Sequence, residues 1–281
     1  MHFQMTPHVR SLVDRALDED RIGFDVSSAA FDEDHHSNAR LVAKQEMILA
    51  GWPVLEQVFE TVDPAVDWQQ RADEGHRLEP GDVLGEAEGP TASLLRGERV
   101  ALNFVQRMSG VATKTARFVD ALDDPTTHIV DTRKTLPGWR ELDKYAVRCG
   151  GGANHRFDLG GGAMIKDNHI AAAGGIAEAV DRVRRQAPFT LKIEVECEDL
   201  DQIEPALEAG ADIIMLDNMT TEQMATAIDT IRGRADKRVV VEASGNITVE
   251  RLPELGGLGL DVISSGALTH SASAVDISMR M

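Results

Sequence analysis

Leu191-Lys-Ile-Glu-Val-Glu-Cys197, then Glu198-Asp-Leu-Asp-Gln-Ile-Glu-Pro-Ala-Leu-Glu-Ala209, then Gly210-Ala-Asp-Ile-Ile-Met-Leu-Asp-Asn218 read in order as strand, helix and strand. Short aliphatic and β-branched runs flank a helical pattern over Leu200–Ala209. The alternation continues in both directions. Candidate strands lie at His128–Asp131, Ala163–Lys166, Arg238–Ala243 and Asp261–Ser264, and helical patterns at Ile176–Arg185 and Thr221–Ile231. Such a repeat, at roughly 21 to 28 residues, predicts right-handed parallel units that close into a barrel or a wound sheet.

The strand ends are polar: Asp131-Thr132-Arg133-Lys134, Lys166-Asp167-Asn168-His169, Glu194 with Glu196, Asp217-Asn218, Glu242 with Ser244-Gly245, and Ser264-Ser265-Gly266. In a parallel barrel these positions converge on the C-terminal rim, where active sites are built.

The first ~110 residues mix shorter patterns. Ala39–Leu49 reads as a strand running into Gly51 and Pro53, followed by a short helix through Val54, Leu55, Val58 and Phe59. Gly81–Glu88 reads as a turn and a strand. Gly89-Pro90 then opens a long helix, because proline is well placed in a first turn. Leu94, Ala101, Leu102, Val105, Met108 and Ala112 make its apolar face, and Arg96, Arg99, Asn103, Gln106, Arg107 and Gly110 fall on the other. The plain reading of that second face is solvent, but three arginines in an acidic chain ask which anion they meet.

The 281 residues carry 47 acidic and 29 basic side chains, a net charge of -18. That balance argues against nucleic acid or an anionic membrane as partner, since both bind through clustered Lys and Arg. A composition 42% hydrophobic and 27% charged is that of a folded globular protein. Cys149 and Cys197 form no metal or disulfide framework and are expected as buried free thiols in a reducing compartment. No apolar run approaches the ~18 residues of a membrane helix and residues 1–10 lack a signal pattern, so a cytoplasmic location is expected.

Residues 131–170 reverse the overall sign. Seven Lys or Arg (Arg133, Lys134, Arg140, Lys144, Arg148, Arg156, Lys166) stand against five acids there, and His155 and His169 offer further donors. Arginine forks hold carboxylates and lysine adds a mobile charge, so the island suits a ligand with several negative groups. Ser244-Gly245-Asn246 and Ser265-Gly266-Ala267 follow the last two strands, where loops commonly cradle a phosphate. Glu196 and Asp217 close consecutive strands with no Cys or His cluster nearby, which suits magnesium; a salt bridge to Lys166 or Lys192 is the structural alternative. Gly150–Gly152 and Gly160–Gly162 match no nucleotide-binding fingerprint and read as mobile loops beside His155-Arg156.

Asp131-Thr-Arg-Lys-Thr-Leu-Pro-Gly138, Gly150-Gly-Gly-Ala-Asn-His-Arg156, Ile165-Lys-Asp-Asn-His169, Leu216-Asp-Asn218, Glu242-Ala-Ser-Gly245 and Gly266-Ala-Leu-Thr-His-Ser271 resemble the quinolinate phosphoribosyltransferase family. The resemblance runs nearly end to end and departs at Phe157–Gly162, where three glycines replace a bulkier sequence. It implies an N-terminal α/β sandwich domain (1–110, with a tail at about 268–281 packing back on it) and a C-terminal incomplete TIM-like α/β barrel (111–281). It also implies a homodimer, open to higher assembly, in which Arg99 reaches the neighbour's site. By the same resemblance Arg99, Arg133, His155, Arg156 and Lys166 hold quinolinate. Thr132, Lys134, Glu196, Asp217, Ser244, Gly245, Asn246, Ser264, Ser265, Gly266 and His270 hold phosphoribosyl pyrophosphate, Glu196 and Asp217 with Mg2+. Lys134, Lys166, Glu196 and Asp217 are the implied catalytic set. Rival readings are a related phosphoribosyltransferase acting on another pyridine carboxylate such as nicotinate, the similar protein associated with molybdenum transport, and a non-catalytic anion-binding protein on the same fold.

Overall fold

The computed structural model describes residues 2–32, 34–234 and 238–281. In chain order its elements are α1 (Pro7–Glu19), β1 (His36–Ala43), β2 (Met47–Ile48), α2 (Trp52–Val62), β3 (Asp67–Gln70), β4 (Arg77–Leu78), β5 (Val83–Pro90), α3 (Thr91–Leu122) and β6 (His128–Val130). There follow α4 (Arg140–Cys149), β7 (Ala163–Ile165), α5 (Asp167–Ala173), α6 (Ile176–Gln186), β8 (Ile193–Cys197), α7 (Ile203–Glu208) and β9 (Ile213–Asp217). The last are α8 (Thr221–Arg234), β10 (Val240–Ser244), α9 (Leu252–Leu255), β11 (Val262–Ser264), α10 (Ala267–His270) and β12 (Ile277–Arg280). The chain divides into two compact units. One gathers the residues up to Ala116 with Thr135–Gly151 and Leu268–Met281, and the other holds Arg117–Lys134 with Gly152–Ala267.

The first unit is built on an antiparallel sheet in the order β12-β1-β5-β3. Ala39, Leu41, Leu84 and Ala87 are buried on one side of it while Arg40, Glu86 and Glu88 face out, the alternation of a sheet covered on one face. Helix α2 supplies the cover. Trp52 sits so close over Gly85 that a Cβ there would come within 2.0 Å of the indole. Strand β12, from the end of the chain, pairs with β1 from Arg40↔Arg280 to Ala43↔Ile277.

That tail also answers the question posed by the polar face of α3. Gln106 donates to the Ile277 carbonyl at 3.0 Å, and Arg107 donates to the carbonyls of Ala272 and Thr269 at 2.6 and 2.5 Å. Gly110 lies against Ser273, whose carbonyl oxygen would be 2.1 Å from a Cβ. The face is largely spent on the chain's own last residues, and Arg99 and Asn103 are its exposed members. The opposite face, Leu94 to Ala112, is buried as expected.

Two expected boundaries move. Ala39–Leu49 is not one strand, because the chain turns away after Ala43 and the amides of Ile48 and Ala50 donate to Thr113 Oγ1 and Ser109 Oγ instead of to a sheet neighbour. Pro90 ends β5 rather than opening α3, whose first residue Thr91 donates its amide to the His35 carbonyl.

The second unit is a six-stranded sheet in the order β6-β11-β10-β9-β8-β7, and its strand pairs are parallel. This is the incomplete barrel-type α/β architecture, with six strands where a full barrel has eight. The registers Met164↔Glu194, Glu196↔Met215, Glu242↔Met215 and Ser244↔Asp217 put Lys166, Glu194, Glu196, Asp217, Glu242, Ser244 and Ser264 on one face. The alternate residues Ile165, Val195, Ile214, Leu216, Val241, Ala243 and Ile263 are buried on the other face, the side that α6 covers at β7 and β8. Polar side chains therefore line one face of the sheet, and its apolar face packs on α6 at β7 and β8.

Candidate active site

The loops after the parallel strands carry the basic groups. Thr132 Oγ1 accepts the Lys134 amide at 3.0 Å, which curls the segment after β6 so that Arg133 and Lys134 are exposed at its tip. Lys166 ends the extended run of β7, and its ammonium pairs with the Glu196 carboxylate on the neighbouring strand. Glu196 is itself buried, so the two groups form a partly desolvated pair rather than a loose surface contact.

The loops after β9 and β10 are locked together. Asn218, Gly245 and Asn246 all adopt left-handed backbone, with φ of 57°, 82° and 48°. Asn218 donates its amide to the Ser244 carbonyl at 3.0 Å and its side-chain NH2 to Asp217 at 2.7 Å, and it accepts from Asn246 Nδ2 at 3.0 Å. Only glycine fits at 245, because a Cβ would lie 2.2 Å from Asn218 Oδ1. After β11, Ser265 donates its amide to the Val130 carbonyl and its hydroxyl accepts from Ala267 at 3.3 Å, while the Ser264 hydroxyl is buried without a partner among the described residues.

Deeper on the same face, His155 Nε2 lies 3.3 Å from Glu194 Oε2 and 3.4 Å from Glu242 Oε2. Burial lowers the pKa of the ring, while the hydrogen bonds and charges of the two carboxylates raise it. Burial raises the Glu194 carboxyl. The Arg156 amide donates to His155 Nδ1 at 2.7 Å, which makes Nδ1 an acceptor and leaves Nε2 as the donor towards the two carboxylates. This tautomer also disfavours a metal among the three, although their ligand atoms lie within 4.8 Å of one another. Arg156 donates to the Gly162 carbonyl at 2.8 Å; burial, and then the charge of Arg133, lowers its pKa. Two guanidinium groups close enough to repel mark a place where an anion is wanted.

The hard-cation reading rests on Glu196 and Asp217. They share the polar face of adjacent strands with oxygen as the only donor type, the set magnesium prefers. The Lys166–Glu196 pair expected as the alternative is present as well.

Not every expected group gathers here. Arg140, Lys144 and Arg148 lie on α4 in the first unit, where Lys144 is wholly buried and Arg148 sits 5.5 Å over the Tyr145 ring. The basic island contiguous in sequence is thus divided, with Arg133, Lys134, Arg156 and Lys166 in the second unit. Arg99 and His270 belong to the first unit and are exposed. Gly150 is no loop residue either. It caps α4 and packs against α3, with the Ala112 carbonyl 2.3 Å from where a Cβ would be. In the sequence Asp131, Glu194, Glu242 and Asn218 stand out only as strand-end residues, and their hydrogen bonds make them the frame of the site. The signal for the two glutamates is an acid at alternate positions of an otherwise apolar strand, as in Ile193-Glu-Val-Glu-Cys197.

Comparison with known proteins agrees with this geometry. Models of the quinolinate phosphoribosyl transferase N-terminal and C-terminal domains match residues 25–109 and 111–280. The nicotinate-nucleotide pyrophosphorylase (carboxylating) of Homo sapiens is 43% identical over 273 residues, covering 96% of this chain and 91% of its own. A protein of Bacillus subtilis (strain 168) described as a probable nicotinate-nucleotide pyrophosphorylase (carboxylating) is 46% identical, covering 91% of this chain and 87% of its own. The crystal structure of NadC from Streptococcus pyogenes superposes with a TM-score of 0.94 at 45% identity, covering 100% of this chain and 98% of that one. With both domains matched in order, the chain belongs to the quinolinate phosphoribosyltransferase family.

Proposed function

We infer that this chain transfers the phosphoribosyl group of phosphoribosyl pyrophosphate to the ring nitrogen of quinolinate with loss of CO2, giving nicotinate mononucleotide and pyrophosphate in de novo NAD biosynthesis. The observation that carries the reading is the grouping of Arg133, Lys134, Arg156 and Lys166 in one unit of a chain whose net charge is -18. Two anionic substrates repel each other in water, and a rim that neutralises both is what their encounter requires.

In this reading Arg133, Arg156 and Lys166 hold the two carboxylates of quinolinate. His155, whose ring nitrogens are both engaged within the chain, contributes through the Arg156 amide. Lys134 stands between that pocket and the pyrophosphate. Glu196 and Asp217 take the ribose side and would hold Mg2+, which when bound neutralises charge on the departing pyrophosphate. Thr132 and the Ser244-Gly245-Asn246 and Ser264-Ser265-Gly266 turns, with His270, take the phosphate groups.

The pyridine nitrogen attacks ribose C1 as pyrophosphate leaves, so no side-chain nucleophile is needed. The nitrogen, now quaternary, stabilises the electron pair left on C2 when CO2 departs, and a proton from solvent replaces it. Arg99 reaches the site of the neighbouring protomer in a homodimer, consistent with its exposure in the single chain. Two buried free cysteines and the lack of a helix long and apolar enough to cross a membrane among the described residues support a cytoplasmic setting.

Purified protein given quinolinate, phosphoribosyl pyrophosphate and Mg2+ is expected to form the mononucleotide with one CO2 per turnover, and to use nicotinate poorly. Preference for nicotinate without CO2 release would favour the rival enzyme, and binding without product would favour a non-catalytic protein. Mixing Arg99→Ala with Lys166→Ala, each inactive alone, is expected to restore activity; no recovery in mixed dimers would refute the shared site.

A further inference from the structure

The two halves of the quinolinate pocket sit on different stretches of chain, and one buried carboxylate joins them. Asp131 ends the run of β6, two residues before Arg133, and is fully buried. The segment that carries Arg156 lies along this strand. Ala153 donates to the Ile129 carbonyl and accepts from the Asp131 amide, forming a parallel bridge with Val130. The side chain of Asp131 then extends that pairing by two residues. Its Oδ2 accepts from Asn154 Nδ2 at 2.6 Å and its Oδ1 accepts from the His155 amide at 3.0 Å. From the far side, Glu194 and Glu242 hold the His155 ring, and the ring holds the Arg156 amide.

We propose that Asp131 is a positioning residue for quinolinate, a two-handed clamp that sets the Arg156 guanidinium opposite Arg133, resting on the assignment of those arginines to the substrate carboxylates. Without a clamp, two like charges brought together would drift apart in the empty site and the pocket would have to be reassembled at every binding event. Like-charge repulsion between Arg133 and Arg156 is the load the clamp bears. A carboxylate is required because both of its oxygens accept. The carboxamide introduced by Asp131→Asn keeps the shape but has a single acceptor, so its NH2 would face a donor, either Asn154 Nδ2 or the His155 amide.

The test separates positioning from folding by which Michaelis constant moves. Asp131→Asn is expected to raise KM for quinolinate roughly tenfold, the factor that losing one ordinary hydrogen bond produces, with KM for phosphoribosyl pyrophosphate within about twofold. Asn154→Ala, which removes one hand of the clamp and leaves the acid in place, is expected to show the same split at smaller size and covers the case in which Asp131→Asn fails to fold. In the double variant Asp131→Asn with Asn154→Asp, donor and acceptor exchange sides, and most of the quinolinate KM is expected to return. Arg156→Ala serves as the reference. An unchanged quinolinate KM there overturns the site assignment and this proposal with it. A raised value there, with Asp131→Asn and Asn154→Ala unchanged, or with both Michaelis constants moving together in the clamp variants, overturns the clamp alone.

Discussion

Gly245→Ala is the most exacting perturbation of the turn that follows β10. Two separate costs arise from the geometry. The backbone at 245 has φ of 82°, where a residue with a Cβ loses about 1–2 kcal/mol relative to glycine. The new methyl would also stand 2.2 Å from Asn218 Oδ1 and 2.8 Å from the Asn218 amide nitrogen, so the asparagine must move. Moving it breaks the 3.0 Å bond from Asn246 Nδ2, worth about 1 kcal/mol. The sum is about 2–3 kcal/mol of destabilisation. Urea denaturation followed by far-UV circular dichroism measures it, and initial rates against phosphoribosyl pyrophosphate report the functional share. KM for that substrate is expected to rise more than KM for quinolinate, because the loops after β9 and β10 are the ones displaced. A variant with wild-type midpoint and wild-type KM for phosphoribosyl pyrophosphate would refute both the packing argument and the phosphate assignment.

Two other residues make simpler predictions. Asp261 accepts from the Val241 amide at 2.8 Å, from Arg232 at 2.7 Å and from Arg238 at 2.6 Å; burial pushes its carboxyl up, and these donors together outweigh burial and hold it below the ordinary range. A carboxyl lowered by folding adds stability that is complete above its unfolded pKa near ~4 and fades as pH falls through the folded value. Asp261→Asn is therefore expected to be less stable than wild type at pH ~6.5, with the gap narrowing as pH falls below ~4; a gap independent of pH would contradict the assignment. Arg107→Met removes both carbonyl contacts to Thr269 and Ala272, at a cost of about 2–4 kcal/mol for charged donors. It is expected to make the segment after Thr269 sensitive to limited proteolysis, and unchanged cleavage would show that the tail is held without Arg107.

The second unit was legible because its information is local. The strands of its sheet and the helices α6, α7 and α8 announce themselves over four to eleven residues, and the polar residues at the strand ends follow in order, so the parallel repeat could be named from the chain alone, while the short α5 and α9 could not. The first unit was less legible for a physical reason. Ala39–Leu49 joins two apolar runs across Lys44-Gln45-Glu46, and its backbone partners change there from strands β5 and β12 to the hydroxyls of Ser109 and Thr113, residues about 60 positions away. Periodicity does not report such a change of partner. The short β3 and β12, with few apolar side chains, gave little signal at all.

By itself the sequence determined the family, the parallel α/β repeat and the identities of the basic residues that follow the strands, because these depend on residue type and order. Tertiary structure decided which of those residues share a unit. Arg140, Lys144 and Arg148 lie between Lys134 and Arg156 in sequence, yet α4 carries them into the other unit, while Lys166 finds Glu196 thirty residues on through parallel strand pairing. It also decided that the polar face of α3 is covered by the chain's own tail, and that Asp131 is a clamp rather than one more acid at a strand end. Register and burial set these outcomes, and both are properties of which segments pair, a choice made by the whole chain at once and written in no single stretch of it.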